Sequence, residues 1–298
     1  MSPSVPRTVA GLALAGAGCV AYGSLVERQW YRLRRLRIDH VLRRPGTLRI
    51  LHLTDLHLVP GRDHLVAFLR SLAGLDHDVV VVTGDLLGAP GAEDLAADSL
   101  APLTSDGRPG LVVLGSNDLF GPVCKAPWSY LSDPERRTFG TPLDTERLIE
   151  RLAASGYRTL ATEAATVETP SGTIAVGGLE DPHLETTRLP EPAVVAPPQD
   201  REALLHLGLV HAPYLAALDV LVEAGHDLLL AGHTHGGQVR LPGFGALVAN
   251  CDLPLAQVRG LSRYRDSWLH VSAGLGYSRY APFRFACRPE ATVLELTG

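Results

Sequence analysis

The sequence predicts an α/β chain built on a parallel sheet, and three observations carry that prediction. From Leu48 onward, short apolar runs of strand length alternate with helix-length segments. The first three runs end in polar clusters: Thr54-Asp55-Leu56-His57, Thr83-Gly84-Asp85 and Gly115-Ser116-Asn117-Asp118. Strand, crossover helix, strand is the unit of parallel sheets, which carry their ligand sites at the carboxyl ends of the strands. With 298 residues, 46% hydrophobic and 20% charged, the chain has enough apolar material for one large domain or two small ones.

The chain divides into an N-terminal membrane anchor (1–27), an arginine-rich juxtamembrane segment (28–47) and a catalytic domain (48–298). Thr8 to Val26 carries no charge, and at helical rise this length just crosses a bilayer core. A cleaved signal peptide is the main alternative, because Arg7 precedes the run and small residues such as Ala17 and Gly18 lie within it. Arg28, Arg32, Arg34, Arg35, Arg37, Arg43 and Arg44 follow the segment, against Arg7 alone before it. By the positive-inside rule this puts the catalytic domain on the cytoplasmic side of the membrane, with export and anchoring as the alternative. Arg28 to Arg37, interleaved with Trp30, Tyr31, Leu33 and Leu36, reads as an interfacial helix on anionic lipid, so a lipid bilayer is an expected partner.

Within the catalytic domain, Leu48–Leu53 reads as a strand and His64–Leu75 as a helix. The strand Val79–Val82, a helix near Glu93–Leu103 and the strand Leu111–Leu114 follow. Residues 119–144 form an irregular, proline-rich stretch with Phe120, Lys125, Trp128 and Tyr130, the kind of long loop that serves as a lid or decorates a surface. A helix over Thr145–Ser155 leads to strands near Arg158–Ala161, Thr166–Glu168 and Ile174–Val176, which suggest a second, more antiparallel sheet. The strand Leu204–Val210 ends at His211, and a helix covers Tyr214–Ala224. The apolar run Leu228–Ala231 then delivers Gly232-His233-Thr234-His235-Gly236-Gly237, with a strand over Gln238–Leu241 beyond it and closing strands at Leu269–Ser272 and Thr292–Leu296. Positions i and i+2 of an extended chain point the same way, so both imidazoles of that motif can reach one site.

Five strand ends thus present Asp55 and His57, Asp85, Asn117, His211, and His233 with His235. Mixed carboxylate, imidazole and amide ligands suit two divalent cations, Mn, Fe or Zn rather than Ca or Mg. The chemistry such a pair supports is hydrolysis of a phosphate ester by a bridging hydroxide, the ions lying about 3.5–4 Å apart. The net charge of −5 gives no general basic field, so a nucleic acid is not an expected partner. Cys19, Cys124, Cys251 and Cys287 are not spaced as a zinc ribbon or a redox pair. His52 and His206, inside strands, read as packed and satisfied, whereas Asp181 and His183 fit either a pocket wall or a turn.

This ordered set resembles the calcineurin-like metallophosphoesterases: Asp-Leu-His at 55–57, Gly-Asp at 84–85, Asn117, His211 and Gly-His-Thr-His at 232–235. Gly232–Pro242 and the tail from Gly274-Leu275-Gly276 through Arg288-Pro289-Glu290 look like the bacterial membrane-associated YkuE/YaeI-like branch. The resemblance implies a four-layer α-β-β-α sandwich. It also implies that Asp55, His57, Asp85 and His235 hold one metal, and Asp85, Asn117, His211 and His233 the other. One position departs from the family pattern, because Asp118 stands where the family carries a histidine that contacts phosphate or protonates the leaving group. Asp118, Asn117 and His211 are therefore the candidate catalytic residues. Asp118 either transfers a proton, with its pKa raised, or orients a neighbouring ligand. In the second case the enzyme favours good leaving groups, as in phosphodiesters or pyrophosphates, and the arginine-rich collar suggests a lipid-linked substrate.

Overall fold

The computed structural model describes residues 5–123, 139–184, 188–198 and 202–298, with the backbone alone for residues 5–10 and 12. Lys125, Trp128 and Tyr130 lie outside the described residues.

In chain order the first half consists of α1 (Val5–Leu25), β1 (Arg32–Ile38), β2 (Thr47–Leu53), α2 (Asp63–Ser71), β3 (Val79–Thr83), α3 (Glu93–Leu100), β4 (Gly110–Val113), the single turn α4 (Ser116–Leu119), α5 (Thr145–Ala154) and β5 (Tyr157–Thr159). The second half begins with β6 (Glu163–Thr169), β7 (Gly172–Gly178), α6 (Pro192–Val195), β8 (His206–Leu209), α7 (Leu215–Glu223) and β9 (Leu228–Ala231). It closes with β10 (Arg240–Leu241), β11 (Gly245–Ala246), β12 (Gly260–Tyr264), β13 (Ser267–Val271) and β14 (Glu290–Thr297). The last strand returns to the first sheet, whose order is β1-β14-β2-β3-β4-β5; the second sheet runs β12-β13-β9-β8-β7-β6. Pairing is parallel throughout the first sheet except between β14 and β2. In the second it is antiparallel only at the two edges, β12 with β13 and β6 with β7.

The apolar runs are continuous because both faces of these strands are covered. Val80 and Val82 pack with Leu65, Leu69, Leu100, Leu148 and Leu152 against the helices of the first sheet. Val79 and Val81, pointing the other way, meet Leu207, Leu209, Leu228 and Leu230 of the second sheet. Leu229 and Ala231 turn outward onto Leu218 and Leu221 of α7. Three cores therefore separate four layers, helix, sheet, sheet and helix, and truncating one of the inter-sheet leucines to alanine costs about 2–5 kcal/mol.

The arginine-rich segment is not a helix. A 3₁₀ turn at Glu27–Gln29 leads into β1, an edge strand running parallel to β14. The reason is electrostatic: Glu290 is fully buried and accepts from Arg32 Nη2 at 2.5 Å, Arg34 at 3.2 Å and Arg259 at 2.6 Å. A buried carboxylate needs such partners, and a strand brings Arg32 and Arg34 to the same face. Two further differences are local. The strand expected over Gln238–Leu241 shrinks to the two residues of β10, paired with β11 in a small hairpin, and β12, which has no clean alternation, forms as an edge beside β13. Val5–Leu25 is helical, with Leu14, Val20 and Leu25 exposed. Among the described residues no helix is long and apolar enough to cross a membrane, so the expected span finds no support there.

Candidate metal centre

Each ligand-bearing loop leaves its strand abruptly. Asp55 follows β2 by two residues, Asp85 follows β3 by two, His211 follows β8 by two, and His233 follows β9 by two. Five of the nine described non-glycine residues with positive φ are candidate ligands: Asp55 (50°), His57 (43°), Asp85 (56°), His233 (65°) and His235 (48°). Each costs on the order of 1 kcal/mol or more, and such strain gathers where a surrounding structure over-determines the backbone for function. Gly84 makes one of these approaches possible. Its φ is +82°, and a Cβ there would lie 2.5 Å from His211 Nδ1. The loops also brace one another through backbone bonds from Asp55 N to Gly84 O and from Gly232 N to His211 O, both 2.9 Å.

Asp55, His57 and His235 bring ligand atoms within 4.8 Å of one another, and so do Asp55, Asp85 and His211. Asp55 is the member common to both groups, although the resemblance assigns the shared role to Asp85. Asp85 Oδ2 nonetheless lies 3.5 Å from His57 Nε2 and 3.4 Å from His211 Nε2, with the Asn117 amide donating to it at 2.7 Å. His235 Nε2 stands 3.5 Å from Asp55 Oδ1 and 3.2 Å from His57 Nε2. His233 sits at the margin. Its Nε2 is 2.9 Å from the Asn250 carbonyl, and its ring packs 4.6 Å from that of His183 and 5.2 Å from that of His211.

The donor set fits divalent cations. Asp55 Oδ1 and His211 Nε2 are buried without a hydrogen-bond partner, and such orphans call for explanation, an ion being one. His211 Nδ1 is 2.6 Å from Thr83 O and donates to it, which directs Nε2 at the carboxylates. Burial, reinforced by Asp85 and opposed by His211, pushes the Asp55 carboxyl up to about 7. Burial likewise lowers His57 to about 4 and depresses His233 and His235, so these imidazoles are neutral ligands at neutral pH. Burial would lower His211 too, but the charges of Asp85 and Asp181 carry it well above the usual range. Two acids enclosed in this way are stabilised by added positive charge.

Asp118 does not face the ligands. Its Oδ2 accepts from the backbone of Asp85 (2.8 Å) and Gly115 (2.9 Å), and its Oδ1 from Leu86 (2.7 Å) and Leu87 (3.0 Å). All four donors belong to the loops that present Asp85 and Asn117, so the carboxylate fixes their backbone from behind. Asp181 accepts from Ser116 N at 2.8 Å and His183 N at 2.9 Å, and thereby serves both as a turn residue and as a wall of the site. Sequence reasoning missed Arg284. It is fully buried, donates to the carbonyls of Ala273, Gly276 and Cys287, and touches His235 Nδ1 at 3.2 Å from the side away from Asp55. Its place in the tail string was the available signal. A buried arginine whose partners are backbone carbonyls could not otherwise be assigned.

Residues 48–237, which include every one of these ligands, match the calcineurin-like phosphoesterase family. The chain belongs to that family. It is 28% identical over 291 residues to the phosphodiesterase YaeI of Escherichia coli (strain K12), covering 95% of this chain and 94% of that one. It is also 28% identical over 257 residues to the uncharacterized metallophosphoesterase YkoQ of Bacillus subtilis (strain 168), covering 84% and 83%. Among solved structures, the phosphopantetheinyl hydrolase of Mycobacterium tuberculosis aligns with 80% of this chain and 93% of its own, at 12% identity and a TM-score of 0.41. As a calcineurin-like phosphoesterase, the chain is a metal-dependent phosphoric ester hydrolase.

Proposed function

We propose that the chain is a membrane-associated phosphodiesterase using two divalent cations drawn from Mn, Fe and Zn. The observation that carries this reading is Asp85 Oδ2 lying between His57 Nε2 and His211 Nε2, beside the orphaned Asp55 Oδ1. Asp55, His57, Asp85 and His235 would hold one ion, and Asp85, Asn117, His211 and His233 the other. Bound cations supply Lewis acidity, neutralising charge on phosphorus and lowering the pKa of a water. The chain's own residues orient the rest. Thr83 O fixes the His211 tautomer, Arg284 sets the His235 ring, and Asp118 holds the backbone of Asp85, Leu86, Leu87 and Gly115. Because the Asp118 carboxylate is engaged by four amides, it has no free oxygen with which to protonate a leaving group. That supports diesters or pyrophosphates with good leaving groups over alkyl monoesters. A cytoplasmic catalytic domain is proposed on the arginine excess after α1, and protease protection in intact cells tests it.

The deciding experiment strips the protein with chelator, reloads it with Mn²⁺ and follows bis-p-nitrophenyl phosphate. Metal-dependent turnover that disappears in Asp85→Ala is the expected result. A folded, metal-loaded protein that turns over neither diesters nor monoesters would overturn it.

A further inference from the structure

Beyond β9 the chain makes an excursion, residues 238–256, whose exposed apolar side chains have no role in the site. Leu241, Leu247 and Val248 are half exposed, and Phe244, at the turn of the β10–β11 hairpin, is 90% exposed. A phenylalanine held almost wholly in water on a glycine- and proline-flanked hairpin marks an interaction surface rather than ordinary surface scatter.

The excursion lies against the metal centre. Arg240 Nη1 donates to Gly236 O at 2.7 Å, and Asn250 holds His233. It is also tied to the C-terminal end of α1. The Gln238 amide donates to Ala281 O and Phe283 O, Arg284 N donates to Gly23 O at 3.2 Å, and the rings of Tyr22 and Phe285 meet edge to face at 6.3 Å. Buried Glu27, just past α1, accepts from Ala286 N and Cys287 N at 2.9 and 2.6 Å. Two apolar elements more than 200 residues apart in sequence therefore adjoin one short segment, 281–287, which itself carries the arginine behind His235.

Charge selects the occupant. The excursion carries one acidic side chain, the exposed Asp252 near its far end, while Arg240 lies in the hairpin and the acid-free stretch 273–289 adds Arg279 and Arg288 at or near the surface, Arg284 being buried. From Gly11 to Tyr22 the described side chains of α1 are exposed on all sides rather than along one stripe, which suits lipid better than a protein groove. An apolar tip with an excess of cations over exposed acids around it is the composition of an element that seats in the headgroup region of an anionic bilayer.

We infer that the β10–β11 hairpin is a membrane-docking element that, together with α1, holds the mouth of the metal centre against an anionic lipid surface. The substrate is then a phosphodiester of a membrane lipid, a conclusion that rests on the phosphodiesterase reading above.

The test uses the full chain with vesicles of phosphatidylcholine and phosphatidylglycerol at 3:1. Flotation gives binding, release of phosphatidic acid from phosphatidylglycerol gives turnover at the surface, and bis-p-nitrophenyl phosphate gives turnover in solution. Phe244→Ser/Leu247→Ser is expected to weaken vesicle binding and vesicle turnover by about tenfold or more, since each side chain loses apolar burial, while solution turnover is unchanged. Equal vesicle binding by wild type and double variant overturns the inference. So does equal binding to neutral and anionic vesicles, or a loss of self-association in the variant in place of a loss of lipid binding. If the wild type binds vesicles through the hairpin yet hydrolyses no diester anywhere, the phosphodiesterase reading fails and the docking surface stands.

Discussion

The two sheets contribute to the metal centre in opposite ways. The first sheet supplies both carboxylates, the amide and one imidazole, His57, from the ends of β2, β3 and β4; the second supplies imidazoles only, from the ends of β8 and β9. Support differs as well. The first-sheet loops are locked by the four amide bonds to Asp118, whereas each second-sheet histidine leans on one or two neighbours: His211 on Thr83, His233 on Asn250, His235 on Arg284. Charge must be placed rigidly because misplaced negative charge repels itself and the substrate, while a neutral imidazole needs only the correct tautomer and ring angle.

The sharpest way to break this contrast is to remove a ligand from each sheet. Asp85→Ala is expected to cost on the order of 10³-fold or more in turnover of bis-p-nitrophenyl phosphate and to reduce bound metal below one ion per chain. His235→Ala should lose one ion and keep the other. Elemental analysis after desalting distinguishes these outcomes, and equal stoichiometry in the two variants would erase the distinction between the sheets.

Next in size is the clamp. Asp118→Ala strands buried N–H groups of Asp85, Leu86, Leu87 and Gly115, at a cost of about 3 kcal/mol or more, which lowers Tm by roughly 6–12 °C. Asp118→Asn should retain metal and leave the pH dependence of turnover as in wild type. A lost ionisation in that profile would restore a proton-transfer role.

A smaller effect concerns acid stability in the interior. Burial depresses His226 to about 4 and His270 to about 3, and holds His52 well below its usual range; His52 and His270 join the sheets through an Nδ1–Nδ1 contact of 2.8 Å. The folded pKa values lie below the unfolded value near 6.5, so the unfolded chain binds more protons. Stability is complete above about pH 6.5 and falls toward pH 4, by up to about 1.4 kcal/mol per pH unit and per histidine. Urea midpoints at pH 7.5, 6 and 5 measure this, and a flat series would show that the interior accepts protons in place.

The smallest expected effect lies at the rim. Arg43 pairs with Asp227 at 2.7 and 2.9 Å, but its side chain is 43% exposed. Arg43→Ala should cost less than about 1 kcal/mol by chemical denaturation, in contrast to the enclosed Asp118 clamp.

Much of the molecule was legible in advance. The strands β2, β3, β4, β8 and β9 are largely apolar because helices and a second sheet cover both of their faces, and the ligands follow each run within a few residues. Asp55, His57, Asp85, His211 and His235 could be named because metal chemistry demands particular atoms at strand ends whatever the surrounding packing. Long-range partners were not legible. The segment after α1 looked like a helix because its arginines and apolar residues have no clean period, and the partner that makes it a strand, Glu290, lies 258 residues beyond Arg32. Asp118 stands beside a ligand in sequence yet turns its carboxylate onto backbone amides, an orientation set by the packing of three loops.

The sequence by itself determined the strands that carry the ligands, the kinds of ligand atom and the hydrolytic class, since all of these rest on local pattern and side-chain chemistry. Only the tertiary structure decided which carboxylate holds the loops, which arginine sits behind His235 and where Phe244 is left in water. Those depend on contacts between residues far apart in the chain, where burial and geometry, rather than residue identity, fix what a side chain does.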